Sequence, residues 1–178
     1  VANTSGRKLV SITDVQTFMA VNERLVEAKD GLLNALKYIN RSVDSANYVA
    51  YADERLSSAV AWSNFFGSDV RRFEISADVL KESCMDKIAE AEERYSYVKS
   101  IVNLKLSDTR KELDRAYADL SNQSFILCLH RASKAKASSD VILSVVGVDE
   151  SQIDSVIDLK LDVVKKEIIR SQGRGVFP

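Results

Sequence analysis

The chain contains only one proline and six glycines in 178 residues. Both residue types interrupt regular secondary structure and mark loops and turns, so their scarcity predicts few loops and long helices. Leu, Ala, Glu, Lys and Arg are abundant, and all of them favour helix. No run of alternating apolar and polar residues indicates a β-strand. The predicted fold class is therefore all-α.

Six segments show apolar residues at the three- and four-residue spacing of an amphipathic helix. They lie at about 13–40, 44–66, 77–103, from 107 onward, 124–146 and 149–172. The architecture that follows is an antiparallel bundle of about six helices joined by short loops. A solenoid of stacked helical hairpins is the alternative.

The ends of these segments carry capping signals, with Ser or Thr at the start and Gly at the end. The expected N-caps are Thr13, Ser76 and Ser107, and the expected stops are Gly67, Gly147 and Gly173. Gly173 is expected to close the last helix in a left-handed conformation, which glycine tolerates. We expect one domain at 13–172, after a polar lead at 1–12 and before the start of a connection at 173–178. The start at Val1 and the apolar end "GVFP" predict that the chain is a piece of a longer protein.

The apolar stripes predict which face of each helix is buried. On the first helix the stripe is Phe18, Leu25, Leu32, Leu36 and Ile39, widened by Val26 and Leu33. On the third it is Leu80, Cys84, Ile88, Ala91, Tyr95, Val98 and Val102, and on the sixth Ile153, Val156, Ile157, Leu161, Val164 and Ile168. Alanines recur at helical spacing in "YVAYADERLSSAVAW" and "FILCLHRASKAKASSD". Helix packing explains them without an internal repeat.

The residues that usually carry chemistry are few. His130 is the single histidine, whereas a di-iron bundle needs a Glu-x-x-His pair on each of two helices. The spacing of Cys128 and His130 does not match zinc ligands, so we expect His130 at the surface or at the core boundary. There is no P-loop, no G-x-S-x-G and no G-x-G-x-x-G. No catalytic residue, metal ligand or cofactor site is predicted.

The two cysteines, Cys84 and Cys128, are too few for a disulfide scaffold. The favoured interpretation is two buried thiols, and a disulfide between the two predicted helices is the alternative.

The formal net charge of −1 lacks the basic excess that nucleic-acid binding requires. No apolar run approaches the length that spans a membrane.

Three surface features remain. Trp62, Phe65 and Phe66 cluster before Gly67, and we favour a core position for them, although they are also the first choice for a partner-binding surface. The acidic row is Glu82, Asp86, Glu90 and Glu93, and the basic end is Lys160, Lys165, Lys166, Arg170 and Arg174. Both are interpreted as solvated helix faces, with a surface for a cation or a basic partner as the alternative for the acidic row.

Three asparagines, Asn3, Asn40 and Asn122, fit the N-glycosylation pattern N-x-[ST]. Asn40 and Asn122 fall at predicted helix junctions, where a glycan can be accommodated. The pattern favours an exported protein over one that stays inside the cell.

The final segment "RSQGRGVFP" at 170–178 resembles a segment of archaeal Lon-like serine proteases. The likeness extends over about Gly6 to Pro178. It includes Tyr48, Tyr51-Ala52, Glu54-Arg55-Leu56, Ala59, Ala61-Trp62 and Phe65-Phe66 in the second helix, and Ala132, Lys134 and Ala135 in the fifth. In that family a proteolytic domain precedes a long helical C-terminal region.

The resemblance implies that the family's catalytic Ser–Lys dyad lies upstream of Val1, and no residue here matches it. It also implies a membrane-associated parent that faces outside the cytoplasm, with tyrosine-rich helices after Pro178. The expected function is a non-catalytic accessory domain of the protease, for substrate presentation, positioning or assembly. Its partner would be a protein or peptide, including the protease domain of the same chain. A free-standing interaction or scaffold module is the alternative, and a small helical enzyme or metal-binding bundle is a third hypothesis, which the single histidine disfavours.

Overall fold

A computed structural model describes residues 9–68, 76–102 and 106–174, and these residues form six α-helices, one 3-10 turn and no strand. The helices are α1 (Ile12–Lys37), α2 (Ser42–Ser63), α3 (Ala77–Ile101), α4 (Ser107–Ser121), α5 (Phe125–Val145) and α6 (Ile153–Gly173), with the 3-10 turn at Glu150–Gln152. The predicted all-α class and the six helices are confirmed. Most of the predicted lead at 1–12, residue 103 of the predicted third helix, and residues 175–178 lie outside the described residues.

The start of α1 is held by reciprocal side-chain hydrogen bonds. The backbone N–H of Asp14 donates to Ser11 Oγ at 3.0 Å, and the N–H of Val10 donates to Asp14 Oδ2 at 3.2 Å. This exchange resembles a capping box, which satisfies N–H groups that have no partner inside the helix. The predicted cap Thr13 is wrong, because the helix begins at Ile12 and Ser11 is the N-cap.

Of the other predicted caps, Ser76 is confirmed, whereas Ser107 and Gly173 are wrong. Ser76 caps α3 as expected, since its Oγ accepts a hydrogen bond from the N–H of Val79 at 3.5 Å. Ser107 is not an N-cap, because it is the first residue of α4 and Leu106 holds the cap position. Gly173 does not close α6 in a left-handed conformation, since α6 runs through it and positive φ is confined to other residues of the described segments.

α1 and α2 fold back on each other along a seam of small residues. α1 buries Ala28, Gly31 and Ala35, and α2 buries Ala52 and Ala59. A methyl group added at Gly31 would lie 3.2 Å from Ala52 Cβ, so the two backbones approach as closely as a side chain allows. The distance between packed helices depends on the side chains at the contact. The seam therefore lets these helices pack closely at Gly31.

α3, α4 and α5 form a second unit with a similar interior. Its buried residues are Cys84, Ile88, Ala91, Leu113, Ala116, Cys128, Ala132 and Ala135. A disulfide joins Cys84 on α3 to Cys128 on α5, with their Cα atoms 5.8 Å apart. The favoured prediction of two free thiols is therefore wrong, because the small-residue contact brings the two Cα atoms to the usual disulfide separation.

Predicted apolar stripes were accurate on one helix and wrong on another. On α3 the residues Cys84, Ile88, Ala91 and Val98 are buried as expected. On α1 the predicted stripe is wrong at its C-terminal end, where Leu32, Leu33, Leu36 and Ile39 are exposed. The reason is the packing of α2 against the alanine and glycine face of α1, which leaves the leucine face in solvent.

α6 is the least packed helix of the described residues. It has no buried residue, and it meets only α5 and the 3-10 turn. The predicted buried stripe on α6 is therefore wrong: Ile157, Leu161, Val164 and Ile168 are 40 to 54% exposed. Ile153 and Val156 are half-buried. An amphipathic helix of 21 residues thus keeps its apolar face in solvent.

Across the described ranges, none of the helices combines the length and apolar character that crossing a bilayer demands. The sequence-based expectation of no membrane span is confirmed for these residues.

The disulfide is expected to supply much of the stability of the α3–α5 unit. Its cysteines are 44 residues apart, and closing a loop of that length stabilises a fold by about 4 kcal/mol in the loop-entropy model. Urea unfolding with and without a thiol reductant should show a loss of about 2–5 kcal/mol on reduction. The double variant Cys84→Ala/Cys128→Ala is the control and should be indifferent to the reductant. An equal free energy of unfolding for the wild type under both conditions would contradict this.

Candidate functional site

The aromatic cluster lies at the end of α2, with Trp62 in the last turn of the helix and Phe65 and Phe66 in the turn that follows it. Trp62 and Phe65 pack against each other with ring centroids 5.6 Å apart, yet they are 42% and 52% exposed. Phe66 is half-buried. The favoured core interpretation is therefore wrong for Trp62 and Phe65, because the alanine seam leaves no room for large rings between the helices. Two adjacent exposed aromatic rings form an apolar surface of the kind that interfaces use.

A buried carboxylate holds this turn against the start of α1. The N–H of Gly67 donates to Asp14 Oδ1 at 2.8 Å, and Gly67 adopts a φ of 75°, which favours glycine. Asp14 is 4% exposed. Burial alone would raise the pKa of Asp14, but the hydrogen bonds from Gly67, Val10 and Ser11 outweigh it and hold the pKa below its usual value of 3.8. The aromatic cluster is thus presented on an anchored turn.

Large apolar side chains are also exposed along both helices of the hairpin. Those on α1 and the turn after it are Leu32, Leu33, Leu36 and Ile39, and those on α2 are Val43, Val49, Leu56 and Val60. A scattered exposed leucine needs no explanation, but many on one helical hairpin indicate an interaction surface. Sequence periodicity missed the α1 part of this surface because it assigned Leu32, Leu33 and Leu36 to the interior, and it made no prediction for the apolar residues of α2.

A cluster of ionised side chains joins α4 to α5. Arg131 on α5 is almost fully buried, with its Nε 2.6 Å from Asp119 Oδ2 and its Nη1 3.6 Å from Glu112 Oε2. Burial raises the pKa of Asp119 above its usual value, and the nearby Arg131 opposes that change. Nothing in the sequence pattern identified this cluster, because charged residues at helical spacing are normally solvated.

The cluster extends to α1 through further ion pairs. Lys134 binds Glu23, while Arg115 and Lys111 donate to Asp30 Oδ2 at 2.7 and 2.9 Å. Burial would raise the pKa of Asp30, but its two cationic partners hold it below the usual value. Glu23 behaves in the same way, with Lys134 outweighing burial. These pairs are the polar connection between α1 and the α4–α5 pair.

The ion pairs of this cluster connect α4, α5 and α1 to one another. His130 is half-buried at the core boundary, as predicted, and burial lowers its pKa while the charge of Glu23 opposes the shift. In the three described segments, no group of three or more His, Cys, Asp or Glu side chains could hold a metal ion.

An open groove of 510 Å³ between α4 and α5 is lined by apolar residues together with Asp108, Thr109, Lys134 and Ser138. Ser138 and Lys134 are four residues apart on α5, the spacing at which a serine nucleophile and a lysine base could meet. Lys134 is instead bound to Glu23 and lies 4.0 Å from Glu112. Its amine is therefore engaged by carboxylates.

The remaining predicted surfaces are in solvent. The acidic row (Glu82, Asp86, Glu90 and Glu93) and the basic end (Lys160, Lys165, Lys166, Arg170 and Arg174) are exposed throughout, as both the solvated-face interpretation and its alternative require. Asn40 and Asn122 are exposed in the turns after α1 and α4. Asn3 lies outside the described residues.

Comparison with known proteins gives no relative. No protein-family model matches the chain, and no curated protein or solved structure is significantly similar to it.

We predict that Asp14→Asn lowers the free energy of unfolding by about 1–3 kcal/mol at neutral pH, because a buried charge-assisted hydrogen bond is lost. The folded-state pKa of Asp14 is depressed, so its contribution is present above the unfolded pKa and is lost as pH falls through the folded pKa. The difference between wild type and variant should therefore shrink below about pH 4. Asp53→Asn, at an exposed position of α2, is the control. A constant difference from pH 7 to pH 3 would refute this role.

We predict that Arg131→Ala costs about 3–5 kcal/mol, because it removes the cation that lies 2.6 Å from Asp119 and one of the cations beside the buried Glu112, which retains Arg115 at 3.1 Å. The matched control is Arg94→Ala, since Arg94 pairs with Asp140 at 3.4 Å but is 49% exposed, and exposed pairs contribute less than about 1 kcal/mol. Thermal or urea unfolding measures both. Equal losses for the two variants would show that the buried cluster is not a structural connection.

We predict that Asn40 and Asn122 accept N-glycans when the chain passes through a glycosylating secretory pathway. Both are exposed in turns, and the buried disulfide is typical of proteins that reach an oxidising compartment. Intact mass should fall by one glycan in Asn40→Gln and by one in Asn122→Gln. Asn64→Gln, at an exposed asparagine outside any N-x-[ST] pattern, should change nothing. An unmodified secreted wild-type chain would contradict the prediction.

Proposed function

We propose that this chain is a non-catalytic helical domain that binds polypeptide segments through the α1–α2 hairpin. The observation that carries the proposal is the exposed pair Trp62 and Phe65 on a turn anchored by Asp14. Aromatic side chains dominate the binding energy of many protein interfaces. An extended or helical apolar segment is the type of ligand that a helical groove accepts.

The fuller form of the proposal is the role of an accessory domain in a Lon-like serine protease, where the hairpin would present substrate or position the proteolytic domain. It rests on the sequence resemblance, and the engagement of Lys134 by carboxylates in the α4–α5 groove is compatible with it. A free-standing scaffold module is the alternative. A Ser–Lys protease domain encoded upstream of Val1 favours the accessory role, and a gene without one favours the scaffold. A small helical enzyme or metal-binding bundle is the third hypothesis, and stoichiometric metal in the purified protein would favour it.

The proposal predicts binding of an unfolded polypeptide. Fluorescein-labelled casein titrated with the chain should gain anisotropy. The variant Trp62→Ser/Phe65→Ser should bind at least about tenfold more weakly, since loss of an aromatic contact costs more than about 1.4 kcal/mol. Val79→Ser removes a similarly exposed apolar side chain from α3, outside the hairpin, and should change the affinity less than about threefold.

Two results would overturn the proposal. Equal affinity of the aromatic variant and the wild type would remove the proposed surface. Cleavage of the casein by the purified chain, abolished by a serine-directed inhibitor, would show that the chain is itself catalytic.

A further inference from the structure

We propose that α6 is a self-association helix, covered by α6 of a second copy of this chain in the antiparallel orientation. The inference rests on α6 alone and stands whatever the α1–α2 hairpin binds. α6 has no buried residue and meets only α5 and the 3-10 turn. Its exposed apolar side chains are what a soluble helix normally buries against a neighbour.

The spacing of the apolar stripe is that of a coiled-coil seam. Ile157, Leu161, Val164 and Ile168 follow one another at intervals of four, three and four residues, which is the a/d pattern of a heptad. This pattern reads the same in both directions. An antiparallel copy therefore places Ile157 opposite Ile168 of the second copy, and Leu161 opposite Val164. Four apolar layers result from one face of each helix.

The charges beside the stripe select the same orientation. Lys160 and Glu167 flank the apolar stripe on one side, and Asp158 and Lys165 flank it on the other. The two residues of each flank are seven positions apart, and all four side chains are exposed. In an antiparallel pair each flank faces the same flank of the second copy. Lys160 then lies opposite Glu167, and Asp158 opposite Lys165, which gives four pairs of opposite charge.

A parallel pair would be repelled. Its two flanks would face each other with an offset of five residues, so Lys160 would lie opposite Lys165 of the second copy. In the single chain Lys165 lies 3.7 Å from Asp162, and Glu167 lies 3.7 Å from Arg170, and all four of these side chains are at least 63% exposed. Such exposed pairs are weak, so forming the intermolecular pairs costs little.

The seam is short, because α6 has 21 residues and is therefore about 31 Å long. The dimer is expected to be weak and concentration-dependent. Sedimentation equilibrium of the whole chain at low salt, from micromolar to millimolar concentration, should show a monomer–dimer equilibrium. Charge reversal tests its orientation: Lys160→Glu places like charges opposite each other and should raise Kd at least about tenfold, which corresponds to 1.4 kcal/mol.

The double variant Lys160→Glu/Glu167→Lys restores the opposite charges and should restore the wild-type Kd. Lys166→Glu changes a charge on the outer face of α6 and should leave Kd unchanged. Circular dichroism confirms that each variant folds, which is expected because α6 contributes little to the interior. A chain that stays monomeric at millimolar concentration overturns the proposal. The apolar stripe of α6 would then be covered by another segment or by a different partner. A dimer that Lys160→Glu strengthens, or that all three variants leave unchanged, overturns the antiparallel α6 pairing.

Discussion

The fold depends on the close approach of helices through small side chains. Ala28, Gly31 and Ala35 of α1 meet Ala52 and Ala59 of α2, and alanines and a disulfide surround Ile88 and Leu113 in the α3–α5 interior. Small residues let two backbones approach, but they remove little apolar area from water when they are buried. The large apolar residues, which would supply that area, are turned to the outside of the hairpin and of α6.

An interior of this kind needs other sources of stability. The Cys84–Cys128 disulfide joins α3 to α5 inside the small-residue contact, where a larger side chain would hold the helices apart. The ion pairs of Arg131 connect α5 to α4, and the contacts of Asp30 with Arg115 and Lys111 connect α1 to that unit. Buried ion pairs are expensive to desolvate and act more through geometry than through net stability. They specify how the hairpin sits on α4 and α5.

The sequence predicted the number and type of helices, because proline and glycine are scarce and each helix has a clear period. It also predicted the buried face of α3, where medium-sized and small apolar residues share one stripe, and it attributed the alanines of α2 and α5 to packing. It failed on α1 and α6, because periodicity gives weight to large residues and a seam of Ala28 and Ala35 is less apolar than the leucines beside it. Pairing of the cysteines and exposure of Trp62 depend on which helices touch, and local pattern does not contain that information.

α1 turns its small residues inward and its leucines outward. Methyl NMR with a soluble gadolinium chelate measures this directly, because the chelate relaxes only the methyl groups that solvent can reach. We expect strong relaxation of Leu33 and Leu36, which are 54% and 65% exposed, and protection of Val98 and Leu113, which are fully buried. Protection of Leu33 and Leu36 equal to that of Leu113 would contradict this orientation of α1 and would place the leucine stripe in the core.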